Sequence, residues 1–201
     1  MINIALSTYN FNNSYCYPIL KNIFMPGMRV CIIPYSHTPD IYTDINAFNY
    51  IYDPDDPYSD FNIIANAYKD YGINDIRIIL PNDSIKLIED IVSKSDIIFF
   101  TGGDPVAMMN RLKPIRHIID SFDGIVMGAS AGAMVQVKEF IMDGEGYPYS
   151  FYEGLGMIDF DLDIIVHFEP TKKIMKMIKR VKSDRPNRFL ILLRDSECLI
   201  F

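Results

Sequence analysis

Short apolar runs rich in Ile, Val and Phe recur along the chain, and the stretches between them carry apolar residues at helical spacing. Strands buried on both faces read as continuous apolar runs, so this alternation predicts a mostly parallel sheet with crossover helices. Strands are expected at Asn3 to Leu6, Arg29 to Pro34, Asp75 to Leu80, Asp96 to Thr101, Gly124 to Met127, Asp163 to His167, Phe189 to Leu193 and Cys198 to Phe201. The intervening helices are expected at Phe61 to Tyr71, Ser84 to Ser93, Val106 to Leu112 with Ile115 to Phe122, and Thr171 to Lys182. Asp83 and Ser84 give the second of these a start signal, because their side chains can accept from the free amides of a first helical turn. The pattern predicts an α/β fold of three layers, doubly wound, with helices on both faces of the sheet.

One segment breaks the pattern. From His37 to Asp60 the chain is aromatic and acidic, with Pro39, Pro54 and Pro57 interspersed, and it is expected to be a long loop or insertion over one end of the sheet. Asp53, Asp55 and Asp56 lack the glycine and closing glutamate of an EF-hand loop, so a solvated acidic loop is the expectation and no metal site is assigned.

At 201 residues with 49% hydrophobic composition, the chain has enough material for one sizeable core, and residues 1–201 are expected to form one domain. No run approaches the roughly 18 apolar residues of a membrane span, and Met1 to Ser7 lacks a basic leader, which together suggest a cytoplasmic protein. Cys16, Cys31 and Cys198 are odd in number without CxxC spacing, suggesting neither a disulfide framework nor a zinc knuckle. A net charge of -7 argues against a nucleic-acid partner. Thr171 to Lys182 sets Ile174, Met177, Ile178 and Val181 against lysines, which reads as a solvated face over an apolar stripe rather than a membrane surface.

The chemistry centres on Gly128-Ala129-Ser130-Ala131-Gly132-Ala133, which follows the apolar run Ile125-Val126-Met127 and precedes an expected helix from Ala133 to Phe140. This is G-x-S-x-G in its required context of strand, sharp turn and helix. A nucleophile on a strained turn needs small neighbours, and the amide of Ala131 is placed to stabilise a developing oxyanion. The same small residues would also suit a tight helix-on-strand turn or a phosphate-binding turn. Of the three histidines, His117 falls inside a helix and His37 in a loop. His167 ends a strand at the carboxyl edge where Ser130 also stands, which makes it the expected base. A second turn, Thr101-Gly102-Gly103-Asp104-Pro105, opens at that edge, and Gly103 is the candidate for the other oxyanion donor.

Together these features resemble the serine peptidase family that contains dipeptidase E, the aspartyl dipeptidase, and more distantly cyanophycinase, on the class I glutamine amidotransferase fold. Four stretches carry the resemblance: Ile32-Ile33-Pro34, Phe99 to Asp104, Gly128 to Ala133, and Gly154-Leu155-Gly156-Met157 leading to Val166-His167-Phe168. It implies a Ser-His-acid triad in that chain order, with Asp195 of Leu193-Arg194-Asp195-Ser196 best matching the acid. Glu197 and Glu169 are rivals, the latter because amidotransferases of this fold place a glutamate two residues after the histidine; Asp143 and Glu145 are weaker candidates. The family more often has Asn where this chain has Asp104, a substrate-side position. A preference for N-terminal aspartate would need a cationic pocket, for which Arg111, Arg116, Arg180 and Arg194 are the candidates. The resemblance implies hydrolysis of short peptides without cofactor, and is compatible with a homodimer. A non-peptidase amidase or esterase, or a silent binding protein, are the competing readings, and the serine at position 130 disfavours a glutaminase.

Overall fold

The computed structural model describes residues 1–37, 45–144 and 146–201. The central sheet has six strands in the order β10-β1-β5-β4-β2-β3, where β1 is Ile2–Leu6, β2 Arg29–Ile33, β3 Asp75–Ile78, β4 Ile97–Phe100, β5 Ile125–Ala129 and β10 Cys198–Ile200. Pairings among β1 to β5 are parallel, and β10 closes one edge antiparallel to β1.

Side chains alternate across this sheet and are buried on both sides, which is why its strands read as unbroken apolar runs. Ile4, Leu6, Val30, Ile32, Ile97, Phe99 and Met127 pack into one layer with Phe11, Ile64 and Tyr68. Ala5, Cys31, Ile33, Ile98, Phe100 and Val126 pack into the other, with Val92, Met108, Leu112 and Ile119. The first layer is built on α1 (Tyr17–Leu20) and α3 (Asp60–Lys69), and the second on α4 (Ile85–Ser93), α5 (Pro105–Leu112) and α6 (Arg116–Asp120). Helices cover both faces, as the doubly wound pattern requires. Ser59, Ser84, Asp104 and Thr171 each cap a helix by accepting from an amide of its first turn. The last of these begins α8 (Lys172–Asp184).

Every expected strand is present, and each lies within two residues of its anticipated ends. Three expectations need correction. The stretch after Ser130 is not a long helix: α7 (Ala131–Met134) is a single turn, followed by the hairpin of β6 (Glu139–Gly144) and β7 (Tyr147–Glu153). Val135 and Val137 are buried β-branched residues whose carbonyls accept from Leu155 and Gly156, which leads the chain into extended pairing. Secondly, the acidic insertion contains a helix, α2 (Ile45–Tyr52), in which Phe48 and Tyr52 stack four residues apart with centroids 5.0 Å from each other. Pro54 and Pro57 follow that helix rather than break it, while Pro39 lies outside the described residues. The acid cluster is turn chemistry: Asp53 and Asp56 accept from the amides of Asp55 and Tyr58.

Thirdly, the strand before His167 does not join the central sheet. β8 (Leu162–Ile165) pairs in parallel with β9 (Phe189–Leu192) as a separate ribbon. It is anchored by Asp163, 1% exposed, which pairs with Arg185 at 3.0 Å and Arg188 at 3.5 Å, both of which also reach Glu139 of β6. Among the described residues, no helix is long and apolar enough to cross a membrane.

Candidate active site

The turn after β5 is built from close contacts that admit only glycine. A Cβ on Gly132 would lie 2.2 Å from the Phe100 carbonyl oxygen, and one on Gly128 would lie 2.2 Å from that of Gly132. Between them Ser130 takes φ 51°, ψ −111°, a conformation L-residues rarely hold. It is pinned there because its amide donates to Leu6 of β1 at 2.9 Å and its carbonyl accepts from Ala133 and Met134 at 3.0 Å each. The hydroxyl is thus presented at the carboxyl ends of β1, β4 and β5.

His167 approaches from the neighbouring ribbon. Its backbone also takes a positive φ, 52°, and its amide donates to Ser7 Oγ at 3.0 Å, while the Ser7 hydroxyl donates to the Leu193 carbonyl at 2.8 Å. Ser7 therefore joins the end of β1 to the β8–β9 ribbon. The imidazole lies with Nε2 2.9 Å from Ser130 Oγ and Nδ1 2.7 Å from Asp195 Oδ1. With Nδ1 protonated and donating to the carboxylate, Nε2 is left to accept from the serine hydroxyl. Asp195 sits in the turn joining β9 to β10. Its carbonyl accepts from Thr8 at 2.6 Å, and that of Ser196 from Asn13 at 3.2 Å.

The rival acids lie elsewhere. Glu197 caps its own turn by accepting from the Arg194 amide at 2.9 Å, and exposed Glu169 has no side-chain partner among the described residues. Asp143 lines a cleft beside Ser130, whereas Glu145 lies outside the described residues. His167 and Asp195 are 49% and 63% exposed, so water screens their attraction and the contact orients the ring more than it stabilises the fold.

Neither the Gly103 nor the Ala131 amide has an acceptor among the described residues. The Ala131 amide is a first-turn donor of α7, and Gly103 shares a cleft with Ser130 and His167. Asp104 is already engaged: one oxygen accepts from Val106 and Ala107, and the other from the Tyr147 hydroxyl at 2.7 Å. The carboxylate thereby ties α5 to β7, and what borders the cleft is its neighbours Gly103 and Pro105. His37 meets the Tyr52 hydroxyl and His117 stands 4.0 Å from Glu89; neither reaches Ser130.

Two clefts flank the Ser130–His167 pair. One, about 270 Å³, is walled by Thr8, Tyr9 and Gly102; the other, about 390 Å³, by Gly103, Met134, Ile141 and Met177, with Asp143 and Lys173. None of the four arginine candidates lines either cleft. Arg111 serves the Tyr35 and His37 carbonyls, Arg116 pairs with Asp120, and Arg180 covers the Tyr149 ring at 3.6 Å. The cation at the site is Lys173, in the first turn of α8, missed because its helix reads as a solvated surface. Ser7, Thr8 and Tyr9 were missed as well, though polar residues directly after a strand at the ligand-binding edge are a usable signal.

The architecture has a solved counterpart. A protein from Listeria monocytogenes EGD-e, described as a peptidase E protein, superimposes with a TM-score of 0.67 over 100% of this chain and 93% of its own, at 17% identity. That likeness establishes the class I glutamine amidotransferase-like fold. No curated protein matches the sequence. The model of peptidase family S51 matches residues 55–201, which include the serine turn, the glycine turn at Thr101–Pro105 and the segments bearing His167 and Asp195. The chain belongs to peptidase family S51, the dipeptidase E family of serine peptidases.

Proposed function

We propose that the protein hydrolyses short peptides through Ser130, His167 and Asp195, by way of an acyl-enzyme. The observation that carries this reading is the continuous run of hydrogen bonds from Ser130 Oγ to His167 Nε2, 2.9 Å, and from His167 Nδ1 to Asp195, 2.7 Å. His167 takes the hydroxyl proton as Oγ attacks the peptide carbonyl, and the resulting imidazolium is stabilised by Asp195. The amides of Gly103 and Ala131 hold the oxyanion, a contribution of roughly a hundredfold or more in rate per donor in comparable sites. His167 then gives its proton to the leaving amine, the C–N bond breaks, and water hydrolyses the ester by the reverse route. Clefts of about 270 and 390 Å³ on the two sides of the nucleophile can receive the residues flanking the scissile bond. Lys173 supports substrates that carry a carboxylate on the side of the larger cleft.

Labelling by a fluorophosphonate, lost in Ser130→Ala, tests the nucleophile, and a panel of dipeptides with varied N-terminal residues tests the substrate class. Hydrolysis of Asp-X dipeptides is the expected outcome. Inertness toward every peptide, with turnover of simple acyl esters, would replace this reading with a non-peptidase acyl hydrolase.

A further inference from the structure

The Gly103 amide can serve Ser130 only if the peptide between Gly102 and Gly103 is turned the right way. Paired glycines do not choose that orientation themselves, because each reaches a wide range of φ and ψ. Two side chains from other segments hold the turn. Ser36, 1% exposed, donates its hydroxyl to the Gly102 carbonyl at 2.5 Å and lies 2.9 Å from the Thr101 hydroxyl. With the Ser36 hydrogen committed to the carbonyl, Thr101 is the donor in that second bond. The Tyr9 hydroxyl in turn accepts from the Gly102 amide at 2.9 Å, with the Asp60 carboxylate at the start of α3 near it.

In a trans peptide the carbonyl and the next amide point in opposite directions. A Gly102 carbonyl held on Ser36 therefore aims the Gly103 N–H away from Ser36, and Gly103 itself borders the cleft that Ser130 and His167 line. The Ser36 carbonyl also accepts from the Asp104 amide at 2.8 Å, and a Cβ on Gly103 (φ 139°) would lie 2.8 Å from that same oxygen, so residue 103 must be glycine and the orientation of the peptide before it is left to the side-chain contacts.

We propose that Ser36 and Tyr9 are positioning residues that clamp the peptide groups of Gly102 and so fix the Gly103 amide as an oxyanion donor. The proposal rests on the peptidase reading above. Without the clamp the peptide can rotate, and a donor displaced from the transition state loses most of its value.

The test compares wild type, Ser36→Ala, Ser36→Thr and Tyr9→Phe on the intact chain, by the rate of fluorophosphonate labelling and by kcat and KM for p-nitrophenyl acetate. Ser36→Ala should lower the labelling rate and kcat roughly 10- to 100-fold with KM nearly unchanged, and Tyr9→Phe should lower them about tenfold. Ser36→Thr, which keeps the hydroxyl, should recover most of the loss. Folded Ser36→Ala with wild-type kcat overturns the proposal. If that variant does not fold, Tyr9→Phe decides, and its retaining the wild-type labelling rate overturns the proposal equally. A wild type that is never labelled at Ser130 overturns the peptidase reading and this inference with it, whereas a labelled wild type with unaffected variants overturns this inference alone.

Discussion

Ser130 and His167 hold the only positive φ angles outside glycine among the described residues, 51° and 52°, and their side chains meet at 2.9 Å. Two strained residues touching each other is a distribution expected of function rather than of folding, since such conformations persist only where the surroundings over-determine them. Strain at Ser130 is measurable. Ser130→Gly relieves it and Ser130→Ala does not, although both lose the hydroxyl. Ser130→Gly is expected to be more stable than Ser130→Ala by about 1 kcal/mol, after the greater chain entropy of glycine is offset. Urea unfolding of the two variants checks this, and equal midpoints would mean that the serine turn stores no strain.

Asp195, rather than either glutamate, faces His167 Nδ1. Asparagine at 195 would offer an amide in place of a carboxylate, favouring the tautomer in which Nε2 carries the proton and cannot accept from Ser130. Asp195→Asn is expected to lower kcat by roughly a hundredfold or more with little change in KM. Glu169→Gln and Glu197→Gln should stay within a few-fold of wild type. A loss confined to Glu169→Gln would move the acid to the amidotransferase position.

Much of this was legible in the sequence, for an identifiable reason. β4, Ile97–Phe100, is buried on both faces, so Ile97-Ile98-Phe99-Phe100 signals a strand with no polar position to blur it. The serine turn was legible because the close backbone approaches at Gly128 and Gly132 demand glycine on both sides of Ser130. The hairpin from Glu139 was hidden by the helix expected to follow the turn; only the β-branched Val135 and Val137 mark it, and two residues are too few for a period. Ser36 and Tyr9 were illegible because their roles depend on contacts 66 and 93 residues away along the chain. Lys173 looks like any other lysine on α8 until the β6–β7 hairpin is brought beside it; a Cβ on Gly144 would lie 3.2 Å from its Nζ.

Gly132 separates the demands of folding from those of catalysis. Its amide donates to the Thr101 carbonyl at 3.1 Å, and its Cα faces the Phe100 backbone so closely that an added methyl would overlap the carbonyl oxygen at 2.2 Å. Backbone cannot move aside as a flexible side chain can, so α7 would have to lift from β4. Gly132→Ala is expected to cost about 3 kcal/mol or more, as severe overpacking does, and to lower the thermal midpoint by several degrees. Gly146→Ala, with nothing within 4 Å of the added Cβ but a φ of 87°, should cost only about 1 kcal/mol. Comparable losses in the two variants would contradict the close-packing explanation of the motif.

His37 supplies a test of pH-dependent stability that is independent of the active site. Burial, reinforced by the Arg111 guanidinium, pushes its pKa down from 6.5 to about 4. In the folded protein the ring is therefore neutral across the range in which the unfolded chain would protonate it. The unfolded state binds the extra proton between pH 6.5 and 4, so His37 favours the fold fully above pH 6.5, and that contribution is lost as pH falls toward 4. Carboxylates lose their charge mainly below about pH 5, which leaves roughly pH 6.5 to 5 as the window in which His37 can be read with least interference. Thermal melts of the wild type should fall across that window, and His37→Gln, which keeps a polar group near the Tyr52 hydroxyl without a titrating ring, should show a distinctly shallower fall. Parallel melting curves for the two proteins from pH 7 to 5 would show that His37 titrates alike in the folded and unfolded chain.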